Sequence, residues 1–155
     1  MGNYSWFDKK YQRPALAFYN GDLHALSLTA VYFRSPRTVL YGGLSYQRDL
    51  LESADESSTR LGGSLGLIKL WSNGLNLRGN ARYSRRHFDD YSLWDRTRRR
   101  SDDEYQFDMS LSHDKLQLRG LSPRLGYQYI RIDSSIPSLY ARTGNQWTLT
   151  LEKNF

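Results

Sequence analysis

Apolar residues recur at every second position through most of this chain, the period of a β-strand with one greasy side. The final stretch, Asn145 to Phe155, puts Trp147, Leu149, Leu151 and Phe155 on one side and Gln146, Thr148, Thr150, Glu152 and Asn154 on the other. A soluble sandwich strand seldom ends such a file on an aromatic carboxy-terminal residue, whereas outer-membrane strands do so habitually. The cleanest alternation starts at Leu75, with Leu77, Ala81 and Tyr83 against Asn76, Arg78, Asn80, Arg82, Ser84 and Arg86. Arginines in a row on one face predict water or a dense polar network there, because each unpaired charge in a dry core would cost several kcal/mol.

The same period predicts strands over Leu23 to Arg34, Thr38 to Leu50, Thr59 to Trp71 and Glu104 to Leu116, and around Leu125 to Tyr129. Tyr105, Phe107, Met109 and Leu111 then oppose Gln106, Asp108, Ser110, Ser112 and Asp114, and Leu125, Tyr127 and Tyr129 oppose Arg124, Gly126 and Gln128. The acids of the one strand can face the arginines of the other across a hairpin. Glycines crowd Thr59 to Trp71, which suits a curved wall that must admit large neighbouring side chains. A shorter run, Ala15 to Tyr19, follows Pro14 and stops at Asn20-Gly21-Asp22, while residues 3–13 show no usable period. Residues 1–13 are therefore an unassigned lead-in or the end of an earlier strand, and 14–155 the expected barrel domain.

Turn chemistry divides the strands. Ser35-Pro36-Arg37 and Ser72-Asn73-Gly74 are tight, the latter because Asn-Gly supplies the positive φ that a twisted hairpin needs. Breaks at 51–58, 87–103 and 134–144 fall on one rim, and those at 35–37, 72–74 and 118–121 on the other. Long loops alternating with short turns match extracellular loops and periplasmic turns. The 20–22 connection is short where a long one is due. The fold expected is an all-β antiparallel transmembrane barrel of about eight strands.

Composition supports two unlike faces. Aromatics reach 14% of 155 residues, with 12 Tyr, 4 Trp and 6 Phe, yet only 39% of the chain is hydrophobic. No run approaches the length of a transmembrane helix, a limit that leaves strands untouched. Cysteine is absent, which excludes disulfides and thiolate metal sites. The amino terminus carries no basic region before an apolar one, so an export signal is expected to have been removed or to belong to a longer chain.

The net charge of +6 would permit a nucleic-acid partner, but the aromatics face away from the interior arginines instead of interleaving with them. No nucleic acid is expected. His24, His87 and His113 lack metal-ligand spacing, and no catalytic set stands out beyond a loose grouping of His87 with Ser84, Asp89 and Asp90. Neither an enzyme nor a cofactor is expected. Arg98-Arg99-Arg100 could meet phosphates of outer-leaflet sugar lipids or be a solvated loop tip paired with local aspartates. Arg78, Arg82, Arg86 and Arg124, with Asp108 and Asp114, are candidates for a lumen polar network, either tuning a passage or holding the wall in shape. Tyr83, Tyr105, Tyr127 and Tyr129 are candidate lipid-facing or belt aromatics.

Tyr83-Ser84-Arg85-Arg86, Leu121-Ser122-Pro123-Arg124-Leu125 with the aromatic alternation after it, and Glu152-Lys153-Asn154-Phe155 together resemble the carboxy-terminal barrel domain of the surface lipoprotein assembly modulator family (Slam). The resemblance covers roughly residues 38–155. It implies the last part of a fourteen-strand outer-membrane barrel that delivers lipoproteins or related proteins to the cell surface. It also implies outer-membrane lipids, the barrel assembly machinery and a surface lipoprotein substrate as partners. Likeness to outer-membrane proteins in general implies a barrel-assembly signal at Trp147, Leu149, Leu151 and Phe155. The alternatives are a complete eight-strand outer-membrane protein with a structural or adhesion role, and a porin-like fragment.

Overall fold

A computed structural model describes residues 1–92, 95–116 and 120–153. Eight strands form one antiparallel sheet in sequence order: β1 (Gly2–Lys9), β2 (Gly21–Ser35), β3 (Thr38–Leu51), β4 (Ser58–Leu70), β5 (Leu75–Ser92), β6 (Asp95–His113), β7 (Leu121–Ser134) and β8 (Arg142–Lys153). The only helical pieces among the described residues are a 3-10 turn at Pro14–Tyr19 and α1 at Pro137–Tyr140.

The sheet is open. β1 pairs with β2 and β8 with β7, and no ladder joins β1 to β8 among the described residues. This corrects the expected transmembrane β-barrel, and with it the small complete barrel and the porin-like fragment. Closure is what removes a sheet's edges, and an edge left with unpaired N–H and C=O groups cannot lie in hydrocarbon without a cost of several kcal/mol per group. Period-two facing makes a two-sided sheet; it does not make a closed one.

Three local expectations also change. The first strand is Gly2–Lys9, inside the stretch that showed no period, and Ala15 to Tyr19 is not a strand. Pro14 starts a 3-10 turn there, with Leu16 N–H donating to Arg13 O at 2.9 Å and Asn20 N–H to Ala17 O at 2.8 Å. The β1–β2 connection is consequently long, which removes the irregularity noted at 20–22. The longest predicted break, 87–103, is instead the far end of the β5–β6 hairpin, whose backbone pairing runs on through His87↔Ser101 and Tyr91↔Arg99. The loop expected over 134–144 narrows to 135–141 and holds α1.

Two glycines fix the backbone where the chain must turn hard. Gly74 takes φ 97° in the Asn-Gly hairpin, as its position predicts. Gly21 takes φ 145° where β2 begins, and a Cβ there would lie 2.0 Å from the Leu50 carbonyl oxygen and 2.8 Å from Leu51 Cα. Gly21→Ala is expected to cost roughly 1–3 kcal/mol through strain and backbone displacement. Gly144→Ala, with nothing within 4 Å of the added methyl, is the near-neutral control. Thermal unfolding of the two variants side by side checks this. The glycines of β4 serve space more than turning: the Tyr41 ring lies across Gly66, where a Cβ would meet its Cζ at 2.0 Å.

Candidate functional site: a two-faced sheet

Strand register assigns every residue to a face. Across β2 to β8, Leu28, Leu44, Tyr83 and Tyr105 stand in one transverse row, Leu65, Phe107 and Tyr129 in the next, and Tyr32, Leu40, Leu67, Met109, Tyr127 and Trp147 in the one after. Many of these side chains are exposed, while Leu67, Met109, Tyr127 and Tyr129 are half-buried by their neighbours. Leu65 is 74% exposed, Leu149 70%, Leu44 68% and Trp147 62%. No second layer covers this face among the described residues.

The aromatic candidates Tyr83, Tyr105, Tyr127 and Tyr129 all lie here, as do Trp147, Leu149 and Leu151. Phe155 falls outside the described residues. Tyr83 and Tyr105 rings are 5.1 Å apart and Tyr127 and Trp147 rings 4.6 Å apart, within the range of favourable tilted pairs. The apolar band is slanted. It gives way to charge at Arg131 on β7, one row further at Arg85 and Asp103 on β5 and β6, and one row further again at Arg48 on β3. Ion pairs mark that limit: Arg48 to Asp89 at 2.5 Å, Arg85 to Asp103 at 3.7 Å and Arg131 to Asp133 at 2.9 Å. Tyr83 Oη donates to Asp103 at 2.6 Å, at the boundary between greasy and charged.

The opposite face inverts the usual pattern of burial. Phe88 and Ile136 are the buried hydrophobic residues among those described, whereas Asp49, Ser58, Ser84 and Asp102 are also buried, Asp102 to 2% exposure. Arg86 donates to Asp49 at 3.2 Å and to Ser58 Oγ at 2.9 Å. Arg60 reaches Glu104 at 3.0 Å, and Arg100 grips Asp102 through both Nε and an Nη. Phe88 lies between Arg86 and Arg100, whose guanidinium carbons are 4.6 and 4.4 Å from its ring centroid. Burial first, and then the neighbouring Arg60, pull Arg86 below the ordinary arginine range.

The candidate polar network is distributed along this face and is not one cluster. Of its members only Arg86 joins the buried group. Asp108 accepts from Gln106 at 2.8 Å and Gln128 at 3.0 Å, Arg124 pairs with Glu152 at 2.8 Å, and Asp114 accepts from Asn76 at the far turn. Arg78 and Arg82 stand opposite Ser110 and Gln106 and make no ion pair among the described residues. Sequence reasoning passed over Asp49, Ser58, Arg60, Asp102 and Glu104. Their inward parity was readable, but their meeting depends on the register Arg60↔Arg86↔Asp102 across three strands.

Other groupings dissolve by alternation. Ser84 and His87 point to opposite faces, so no serine–histidine pair forms. Arg98 pairs with Asp95 at 3.3 Å, Arg99 lies over Tyr91 and Arg100 over Tyr140, so the triplet is split between local partners. His24 hydrogen-bonds the Tyr4 hydroxyl at 2.8 Å, and no group of metal-binding residues occurs among those described.

Glu56, in the loop between β3 and β4, sits where burial raises its carboxyl above the usual range; Asp55 adds to this, while Arg100 and Arg86 oppose it. A carboxyl with a raised folded-state pKa contributes most below the unfolded value, and that contribution is lost as pH rises through the folded one. Glu56→Gln is therefore expected to raise the melting temperature slightly at about pH 7 and to leave it unchanged near about pH 4. Melting curves at the two pH values check the sign.

Comparison with known proteins fits this architecture to a family. The sequence profile described as "SlipAM: Surface lipoprotein assembly modifier" matches residues 1–155. Surface lipoprotein assembly modifier 1 of Haemophilus influenzae is 24% identical over 162 residues, covering 97% of this chain and 33% of that protein. Surface lipoprotein assembly modifier 2 of Neisseria meningitidis serogroup B is 36% identical over 72 residues, covering 46% of this chain and 14% of that protein. The chain thus spans about a third of the length of the first relative. No solved structure matches it. The closed barrel expected along with the family resemblance does not stand, since the sheet's edge strands are unjoined, and a delivery role that depended on a barrel falls with it. With its whole length covered by that one profile, the chain belongs to the surface lipoprotein assembly modifiers, proteins of the outer membrane.

Proposed function

We propose that this sheet is the lipid-contacting unit of a surface lipoprotein assembly modifier. Its leucine and aromatic face rests on the lipid surface of the outer membrane, dipping into the boundary between headgroups and acyl chains while the unpaired edges of β1 and β8 keep their access to water. Its arginine and carboxylate face borders the hydrated space in which the lipoprotein polypeptide is handled. The observation that carries this reading is the largely exposed band of leucines and aromatic rings across the central strands, bounded by ion pairs on one side. An uncovered patch of this extent marks a contact surface, and at the outer membrane the apolar medium at hand is lipid. Tyr83, Tyr105, Tyr127 and Tyr129 serve as rings within that contact, and Trp147, Leu149 and Leu151 extend it to the last strand. On the other face, Arg78 and Arg82 remain available to polar groups of a lipoprotein, while Arg86 holds neighbouring strands in place.

A single-tryptophan protein tests this. With Trp6, Trp71 and Trp94 changed to Phe, Trp147 fluorescence in phospholipid vesicles is expected to be quenched by brominated acyl chains and shielded from aqueous iodide. Free access of iodide to Trp147, with no effect of bromine, would overturn the lipid contact.

A further inference from the structure

Between β4–β7, the start of β8 and α1 lies a cavity of about 520 Å³ on the polar face. Four guanidiniums line it, those of Arg60, Arg86, Arg100 and Arg142, against the carboxylates of Asp102 and Glu104. Even with Asp49, which pairs with Arg86 from outside the cavity, the wall keeps one positive charge in excess. That charge belongs to Arg142, which is exposed and makes no ion pair among the described residues. Arg60 is also unsaturated, because its buried Nε has no hydrogen-bond partner. The Tyr140 ring centroid, 3.5 Å from the Arg100 guanidinium carbon, the Phe88 centroid at 4.4 Å and the two hydrogen bonds to Asp102 hold Arg100 in place.

We infer that this cavity binds the phosphate group of a small or lipid-borne phosphomonoester. Arginine forks suit both carboxylates and phosphates. Here the donors arrive from four different strands, an arrangement that serves a tetrahedral anion with acceptors on every side better than a planar carboxylate with two. The anion neutralises the charge of Arg142. The volume left beyond the phosphate, walled by Ile130, Ile132 and Leu139, accepts the sugar or glycerol that carries it.

The test uses the full chain in a maltoside detergent free of phosphate, followed by thermal shift and calorimetry. Glucose 6-phosphate and dioctanoyl phosphatidic acid are the probes, with glucose, sodium chloride at equal ionic strength and hexaglutamate as comparators. A melting-temperature rise with either phosphate probe and none with glucose or salt is the expected result. Binding of glucose 6-phosphate would identify a soluble ligand, and binding of phosphatidic acid alone a lipid headgroup. Arg142→Gln, on an exposed edge strand and free of structural pairing, is expected to weaken binding about tenfold, the scale of one charged hydrogen bond, with the unliganded melting temperature unchanged. Arg60→Gln provides a second, partly buried variant. No response to either phosphate, an equal response to hexaglutamate, or full affinity in Arg142→Gln would each overturn the inference.

Discussion

Asp49→Ala is expected to destabilise the sheet by up to about 3–5 kcal/mol, the cost of leaving a guanidinium that is mostly withdrawn from water without its counter-charge. Asp49 accepts from Arg86 at 3.2 Å, from Gln47 at 3.1 Å and from Ser58 at 3.4 Å, and its own side chain is 7% exposed. Removing it strands Arg86 beside Arg60 and Arg100, cations whose repulsion already works against its charge. For a chain of this length the loss corresponds to a fall in melting temperature of roughly 6–20 °C. The double variant Asp49→Ala, Arg86→Leu separates the pair from its surroundings. It should recover much of the loss, because replacing both partners with apolar side chains removes the uncompensated charge. Melting curves of the two singles and the double decide it; an additive double would mean that the pair is not coupled.

Leu65→Arg should act on the other face and spare the fold. Leu65 stands 74% exposed in the middle of the apolar band, so the substitution breaks no packed core. In lipid the same change removes a leucine contact worth about 1.5–3 kcal/mol and sets a charge in its place. The share of protein floating with phospholipid vesicles is expected to drop at least about tenfold on that energy scale, while the melting temperature in detergent changes little. Arg82→Leu, on the reverse face, is the comparator, and it should float as the unaltered chain does. Equal flotation of the two variants would remove the distinction between the faces.

Much of this was legible in the sequence because a strand's period is local. Leu75, Leu77, Ala81 and Tyr83 share a face whatever their neighbours do, and the aromatics of β6 and β7 follow the same rule. The Asn73-Gly74 turn was legible for the same reason, since its φ requirement lies within two residues. Closure was not legible, because it depends on whether the first and last strands meet, and no local pattern reports on that. The β5–β6 extension was hidden by its composition. Asp89, Asp90 and the run Arg98 to Arg100 look like loop, yet the ladder is made by backbone groups and tolerates charged side chains that find partners such as Arg48 and Asp102. β1 was masked by Phe7, an apolar residue on the face opposite Tyr4 and Trp6. The buried polar group was the least legible of all: Asp49, Arg60, Arg86 and Asp102 come from four strands, and only register brings them together.

The β5–β6 hairpin outgrows the strands that flank it. The β4 ladder on β5 ends at Phe88 and the β7 ladder on β6 at Asp102, so beyond those rungs the hairpin is held to its neighbours only by separate contacts such as Arg48 with Asp89, Asp89 N–H to Ser57 O and Ser101 N–H to Ser135 Oγ. A trypsin-like protease would meet Arg96 and the arginines after it there first. One cut would divide the covalent chain without dividing the molecule, because the rungs from Leu75↔His113 to His87↔Ser101 still fasten the halves together. Continuity of the polypeptide at that tip is dispensable to the assembled sheet, which makes it the natural place to insert a tag or a foreign epitope.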